Sequence, residues 1–196
     1  MRLSALHRDE GATVLLYTAV IAGLLFMAFA FFAVAQASTV RNGGQAAADA
    51  AALAAAQDDR DRLFDGFLDS LGDGDSWQDW LGGLGDIAAD GCGRAGELAE
   101  RNRSDVTSCD PVTRGADNGY TVKIRTQFDT GDTVVPGADN KKATATATAV
   151  IKPRCDIEGD AKDIEFSCDG EDFTLDPEAK DLDVEPSDLF SVVLVD

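Results

Sequence analysis

The chain begins with an unusually long hydrophobic block. Residues 12–35 contain no charged side chain, and their only polar side-chain atoms belong to Thr13, Tyr17 and Thr18. A helix of this length rises about 36 Å, slightly more than the roughly 30 Å hydrocarbon core of a bilayer. A buried core helix keeps a polar stripe and rarely runs so long without a charge. The pattern predicts one transmembrane helix over residues 12–35, preceded by a short head, residues 1–11.

An alanine-rich segment follows the hydrophobic block. Residues 46–57 read AAADAAALAAAQ, and alanine is the strongest intrinsic helix former. Gly43 and Gly44 each cost about 1 kcal/mol inside a helix, so the chain either kinks at this pair or continues through it as helix. We predict an alanine-rich juxtamembrane helix over residues 36–57.

Small residues in the hydrophobic block suggest a contact between helices. Ala19 and Gly23 are four positions apart and so lie on one face of a helix. Small side chains at this spacing let two membrane helices approach closely. We predict that Ala19 and Gly23 pack against a partner helix, and that the alanines of residues 46–57 either do the same or only reflect helix propensity.

Residues 58–91 mix aspartate with apolar residues at helical spacing, which predicts two short amphipathic helices separated by Asp73-Gly74-Asp75. We favour the interpretation that their apolar faces supply core to the domain that follows. The alternative is a docking face for a membrane surface or a partner, built on Trp77 and Trp80, although the lack of lysine here weakens the membrane interpretation. The apolar positions are Leu63, Phe64, Phe67, Leu68 and Leu71, then Trp77, Trp80, Leu81 and Leu84.

Residues 92–196 contain the patterns of a small sheet. Apolar and polar residues alternate over residues 120–128, and alanine alternates with threonine over residues 142–151. The two runs predict antiparallel strands joined by the loop between them. A helix is predicted over residues 94–102, and shorter strands over residues 164–168, 173–175 and 189–195. The predicted fold class is α+β: a single transmembrane helix continued by an alanine-rich helix, then a small disulfide-stapled domain with an antiparallel sheet and one or two short helices.

All four cysteines, Cys92, Cys109, Cys155 and Cys168, lie beyond the hydrophobic block, as expected of a domain in an oxidising compartment. Four cysteines allow three pairings. Sequential pairing closes the shortest loops and is the one we predict, with about 2–3 kcal/mol of stabilisation from each bond. A zinc site is the competing use, but no C-x-x-C spacing exists and the only histidine is His7.

The charge distribution indicates an orientation. The formal net charge is −19, and the residues after position 35 hold 34 acidic and 15 basic side chains, a surface that repels nucleic acid. The short head carries Arg2 and Arg8, which favours a cytoplasmic N-terminus and an extracytoplasmic domain. Small residues around Ala35 also resemble a signal-peptide cleavage site, but a signal h-region usually has about 7–15 residues, far fewer than this block.

Two features in fixed order suggest a family. The head ends in Arg8-Asp9-Glu10-Gly11 before the hydrophobic block, and residues 45–54 read QAAADAAALA. This N-terminal region resembles the TadE/TadG-like proteins of tight-adherence (Flp-type) pilus assembly, whose pattern is Q-x-A-A-D-A-A-A-L-A. The span from Cys92 to Cys109, with a short helix and a Val/Thr-rich strand after it, is similar to the outer part of small TadE-like proteins. Pilin-like members cleaved after the glycine have glutamate where this chain has Leu16, so the chain is more similar to the uncleaved, anchored members.

The residue types give little support for catalysis or cofactor binding. The outer domain has no histidine, and no serine lies in a nucleophile-elbow context. A calcium loop beginning at Asp73 would need glycine and glutamate where the chain has Gln78 and Leu84. We therefore expect a non-catalytic protein with no metal, cofactor, nucleic-acid partner or small-molecule substrate.

The resemblance implies a structural or accessory component of pilus assembly, single-pass in a bacterial plasma membrane, in contact with lipid and with pilin-like helices or the assembly platform. The alternative is a cell-surface binding module, anchored or secreted after signal cleavage, with no role in pili. The chain divides into the head (1–11), the transmembrane helix (12–35), the alanine-rich helix (36–57), the amphipathic linker (58–91) and the outer domain (92–196).

Overall fold

The computed structural model describes residues 10–71, 76–87, 90–132, 137, 139–157, 164–175 and 184–196. They form an α+β fold in which one long N-terminal helix lies against antiparallel sheets and short helices. The helices are α1 (Glu10–Ser70), α2 (Ser76–Leu81), α3 (Cys92–Arg101) and α4 (Pro186–Leu189). The strands are β1 (Ser104–Arg114), β2 (Asp117–Asp129), β3 (Lys142–Pro153), β4 (Cys155–Ile157), β5 (Ile164–Cys168), β6 (Glu171–Leu175) and β7 (Phe190–Val195).

Helix α1 has 61 residues and continues without a break through the predicted boundaries after residues 35 and 57. The hydrophobic block, the alanine-rich segment and the first predicted amphipathic helix are parts of this one element. The chain stays helical at Gly43 and Gly44 because the sheet lies close to both. A Cβ atom at position 43 would lie 2.9 Å from the Phe128 ring, and one at position 44 would lie 3.1 Å from the Ala143 Cβ. Close packing thus offsets the low helix propensity of the pair.

The larger sheet has the order β1-β2-β3-β7, with every neighbouring pair antiparallel. The predicted pairing of the alternating runs is confirmed, with Val122 opposite Ala147 and Ile124 opposite Ala145. Val122 and Ile124 are buried and Phe128 is half-buried, whereas Lys123, on the opposite face of β2, is exposed. One face of this sheet therefore supplies core and packs on α1.

Strand β1 is an addition that the sequence analysis did not predict. Its residues, SDVTSCDPVTR, alternate poorly, and most are exposed because the strand forms an edge of the sheet. The pairing with β2 shifts register between Val106 and Ser108, which breaks any period-two pattern that burial could impose. An edge strand of this kind leaves almost no hydrophobic signal.

The smaller sheet, β4-β5-β6, joins the far end of α1 through aromatic contacts. The Phe166 ring lies 6.0 Å from the Phe67 ring in an edge-to-face arrangement and 5.5 Å from the Phe173 ring in a stacked one. Trp77 of α2 packs on Phe166 and is only 2% exposed. This burial supports the interpretation that the second amphipathic segment supplies core, and it removes Trp77 from any docking face.

The alanine-rich part of α1 is buried within its own domain. Six alanines between positions 47 and 56 have no exposed surface, and Ala95 and Ala99 of α3 are equally buried. A Cβ atom at Gly91, just before α3, would lie 2.3 Å from the Ala55 carbonyl oxygen. Small residues therefore let α3 approach the α1 backbone closely. These alanines are not available to a partner helix; they are Ala47, Ala48, Ala51, Ala52, Ala55 and Ala56.

Both disulfides follow the sequential pairing that we predicted. Cys92 is bonded to Cys109, which ties the start of α3 to the edge strand β1. Cys155 is bonded to Cys168, its direct cross-strand partner in the smaller sheet. The first bond thus fixes an edge strand whose residues are mostly exposed.

We expect Gly91→Ala to lower the free energy of unfolding by about 1–3 kcal/mol, because the added methyl group would collide with the backbone of α1. The measurement is chemical denaturation of the full chain in detergent micelles, followed by tryptophan fluorescence. Trp77 reports on the core.

The matched control is Gly93→Ala, two positions away, where an added Cβ would meet nothing within 4 Å. Because Gly93 lies in α3, this change should raise stability by about 0.5–1 kcal/mol. Equal effects of the two substitutions would contradict the close approach of Gly91 to α1.

Candidate functional site

The first part of α1 exposes apolar side chains in every direction. Large hydrophobic residues from Val14 to Phe32 are half or more exposed, with Phe31 at 77%. This helix is long and apolar enough to cross a membrane. Residues 13–32 rise about 30 Å, which equals the hydrocarbon thickness of a bilayer. The surface is therefore the kind that lipid or other membrane helices cover.

Ala19 and Gly23 lie in this exposed part of α1. A Cβ atom at Gly23 would meet nothing within 4 Å. The two positions are one turn apart on the helix, so together they form a small-residue patch on its surface. Helix packing at this patch remains a prediction.

The folded domain begins where the exposed apolar stretch ends. Val34 and Ala37 of α1 line a surface groove together with Thr144 and Ala145 of β3. Val40 is only 5% exposed. No flexible connection separates the candidate membrane segment from the domain, because both belong to one helix.

A buried polar pair lies near the other end of α1. The Tyr120 hydroxyl of β2 donates a hydrogen bond of 2.6 Å to Oδ2 of Asp59, and it accepts one of 3.1 Å from the Gly91 backbone N–H. Asp59 is only 4% exposed and Tyr120 only 1%. Oδ1 of Asp59 is sealed from solvent and accepts no hydrogen bond of good geometry within the described part of the chain, although the Asp90 backbone N–H lies close enough to stabilise the carboxylate. A half-satisfied carboxylate in a core is energetically costly, and so it is a candidate functional group.

Burial raises the pKa of Asp59 above its ordinary value of 3.8. The Tyr120 hydrogen bond, the Arg62 guanidinium and the nearby Asp90 backbone N–H oppose this shift without cancelling it. Burial and the hydrogen bond to Asp59 also raise the pKa of Tyr120. The pair therefore retains its protons more strongly than two exposed groups would.

Charged side chains lie close to the Asp59–Tyr120 pair. Arg62 lies 2.9 Å from the carboxylate of Asp58 and 3.5 Å from that of Asp90. These contacts are partly exposed, so solvent screens them and their net stabilisation is small. Their main effect is to place a positive charge close to Asp59.

The described residues contain no cluster of three or more histidine, cysteine or carboxylate side chains arranged to hold a metal ion. All four cysteines are in disulfides, so none of them is a free thiol. Asp73, the first position of the calcium loop considered above, lies outside the described residues. Asp59 is not among the residues predicted from the sequence, although it continues the buried helical stripe between Ala56 and Leu63.

Comparison of the chain with protein-family models, with curated proteins and with solved structures finds no match.

We expect Asp59→Asn to change how stability depends on pH. Because the folded-state pKa of Asp59 is raised, its contribution to stability is complete below pH 3.8 and is lost as the pH rises through the folded-state pKa. Over that window the wild type should lose about 1.4 kcal/mol per pH unit relative to the variant. Denaturation of the full chain in micelles at several pH values measures this difference.

Asp61→Asn serves as the control, because Asp61 is exposed, lies on the same helix and changes the net charge equally. This variant should follow the wild-type pH dependence. A pH-dependent difference of the same size for both variants would show that general charge, not the buried carboxylate, is responsible.

Proposed function

We propose that this chain is a membrane-anchored, non-catalytic structural or accessory component of Flp/Tad-type pilus assembly. The observation that carries the proposal is the single helix α1, whose exposed apolar part continues directly into the spine of a folded domain. Such a helix transmits its position and tilt in the membrane to the domain. This arrangement suits a component that positions other subunits, because the exposed apolar part of α1 and the surface of the domain move together.

The sequence resemblance supports the same role. Gln45 and Asp49, the polar positions of the QAAADAAALA run, are joined by a hydrogen bond of 2.7 Å along the surface of α1. Most alanines of the run are buried against the domain, namely Ala47, Ala48, Ala51, Ala52 and Ala54. In this proposal, the buried alanines of the motif attach the domain to the helix that anchors it.

In this proposal the N-terminus lies in the cytoplasm and the domain lies outside the plasma membrane of a bacterium. The disulfides favour an oxidising exterior, and the basic residues of the head favour the cytoplasmic side. The acidic domain would remain soluble there and would not adhere to anionic lipid.

A cell-surface binding module without a role in pili is the second candidate. It is favoured by one observation, the half-satisfied carboxylate of Asp59 beside a surface cleft. The pilus role would use the helix face at Ala19 and Gly23, whereas the binding module would use the cleft beside Asp59. The two candidate functions are therefore tested separately.

Single cysteines at Ala19 and Gly23 should crosslink to a pilin or to a platform protein in cells that assemble the pili. The native cysteines are all paired, so the introduced thiol is the reactive one. Products are separated by electrophoresis and their partners identified by mass spectrometry. Deletion of the chain should reduce filament number.

Ile21→Cys is the matched control, because Ile21 is exposed at the same depth but lies about 200° around the helix from Ala19. It should give little product. Equal crosslinking at all three positions, or normal filaments after deletion, would contradict the proposal.

The orientation has its own test. A cysteine at Ser38, which is exposed just beyond the apolar stretch, should react with a membrane-impermeant maleimide in intact cells. A cysteine at Ser4 should react only after permeabilisation. The reverse labelling pattern would place the domain in the cytoplasm. Recovery of the full-length chain in soluble form without detergent would exclude the membrane anchor.

A further inference from the structure

Strand β7 pairs with only part of β3. The pairing runs from Thr148 to Pro153 of β3, so residues 142–147 have no neighbouring strand on that side among the described residues. These residues, the uncovered edge, lie beside the part of α1 where the exposed apolar stretch ends. The space in line with β7 is therefore open to one short strand.

The backbone of the uncovered edge presents hydrogen-bonding groups to this space. In an antiparallel sheet, successive residues direct their N–H and C=O groups to opposite sides of the strand. The Ala143 N–H donates to the Thr126 hydroxyl on the β2 side, so the backbone groups of Thr144 and Thr146 face the other side. There Nε2 of Gln45 donates to the Thr146 carbonyl over 3.5 Å. This long contact is the only hydrogen bond that the described residues make to the two positions on that side.

A surface groove runs along the uncovered edge between α1 and β3. Its first part, of about 730 Å³, lies between residues 34–45 of α1 and residues 144–146 of β3. Its second part, of about 550 Å³, continues past Gln45 to the end of β7. Each volume is within the range of ordinary ligand sites. Thr144 and Thr146 are exposed and line the groove, so the edge is reached from it.

The opposite edge of the sheet is protected in ways that the uncovered edge is not. Natural edge strands avoid pairing with other chains through charged side chains and prolines, among other features. Strand β1 carries Asp105, Asp110 and Pro111. Residues 143–147 read ATATA, with no charge and no proline. The uncovered edge is therefore the one that is suited to pairing.

We propose that the uncovered edge binds a short extended segment of another polypeptide as an added strand, antiparallel to β3 and in line with β7. The added strand would exchange N–H and C=O hydrogen bonds with Thr144 and Thr146, and its side chains would alternate between the two faces of the sheet. This site is separate from the helix contact at Ala19 and Gly23.

The flank of α1 favours apolar side chains at alternate positions of the added strand. Gly44 of α1 lies against Ala143 and Ala145, which places these alanines on the α1 face of the sheet. Side chains opposite them would extend towards Val34 and Ala37, so burial favours apolar residues there. The residue between them would lie on the other face, beside exposed threonines, where a β-branched polar residue fits.

Charged side chains at the two ends of the groove favour one order of charges along the added strand. Asp49 and Asp196 line the end next to β7. Arg41 lines the other end, where Lys142 begins β3. Because the added strand would run in the same direction as β7, its first residue would lie near the acidic pair and its last near the basic pair. A basic residue at the start and an acidic residue at the end are therefore favoured.

A second copy of the chain does not fit the uncovered edge. Gly44 lies beside Ala143, and Asp59 bonds to Tyr120, which pairs with Ala149, so α1 and β3 run in the same direction. Symmetric antiparallel pairing of two uncovered edges would invert one α1 relative to the other, which helices inserted the same way in one membrane cannot adopt. Strand β1 of a second copy has 11 residues and would collide with β7. The exclusion of the symmetric pair rests on the membrane anchor of the proposed function.

The test uses the full chain in lipid nanodiscs and the probe peptide acetyl-Lys-Val-Thr-Val-Glu-amide, whose threonine would lie opposite Thr144. Binding is followed by NMR titration and by amide hydrogen exchange. We expect the amide protons of Thr144 and Thr146 to exchange at least about tenfold more slowly in the saturated complex. Exchange at Ala145, whose backbone groups face β2, should not change.

Three control peptides test the register and the charges. N-methylation of the peptide's threonine removes a donor that faces β3 and should weaken binding at least about tenfold. N-methylation of its first valine alters an amide that faces away from β3 and should leave the affinity unchanged. The peptide acetyl-Glu-Val-Thr-Val-Lys-amide has the same composition with the charges exchanged, and it should bind more weakly than the probe.

A pair of substitutions in the chain tests the same contact. Thr146→Pro removes the backbone N–H that faces the groove and should abolish binding. Thr146→Val keeps that N–H and should retain binding. If Thr146→Pro does not fold, the two N-methylated peptides decide the question on the wild-type chain.

The proposal would be overturned if the two methylations had equal effects, or if exchange at Thr144 and Thr146 did not slow when the probe is added. Slow exchange at both positions that depends on protein concentration and needs no peptide would assign the uncovered edge to a second copy instead. None of these outcomes bears on crosslinking at Ala19, so failure here and failure of the pilus role are distinguishable.

Discussion

The structure depends on the close approach between α1 and the rest of its own domain. Small residues make this approach possible: Gly44 contacts the sheet, Gly91 contacts the backbone of α1, and the alanines between positions 47 and 56 are buried. Each small side chain buries little apolar area, so the hydrophobic free energy comes from many contacts and from larger residues such as Leu63 and Phe67. Because the interface is extended and closely packed, α1 cannot shift within it without steric conflict.

This interface determines what the exposed part of α1 can do. An isolated membrane helix followed by a flexible linker would move independently of its domain. Here the sheet begins beside Val34 and Ala37, at the end of the exposed apolar stretch, so there is no room for such a linker. A rotation of residues 13–32 therefore rotates the domain as well. Packing at Ala19 and Gly23 would consequently set the orientation of the domain surface, including the cleft beside Asp59.

The sequence predicts the parts of this fold in which burial is periodic. Strand β2 and the first half of β3 have a more buried and a more exposed face, so period-two alternation predicts both strands and their pairing, whereas residues 147–151 of β3 are buried on both faces. Strand β1 escapes prediction because an exposed edge strand imposes no alternation. Asp59 is an intermediate case: helical spacing places it on the buried stripe of α1, but only the tertiary register brings Tyr120 to it. A local sequence pattern therefore indicates which residues are buried more readily than it indicates which residues contact one another.

The elements that enclose the buried Asp59 are also joined by a disulfide. The carboxylate lies among α1, the chain before α3 and the β1–β2 pair, and desolvation disfavours its charged form there. The Cys92–Cys109 bond ties α3 to β1, two of the elements that enclose this region, and so restricts the unfolded chain at that point. A leucine at position 59 would remove the desolvation penalty, as replacement of buried charges by apolar groups often does. The carboxylate at position 59 gives the buried Tyr120 hydroxyl an acceptor, which an apolar residue cannot provide.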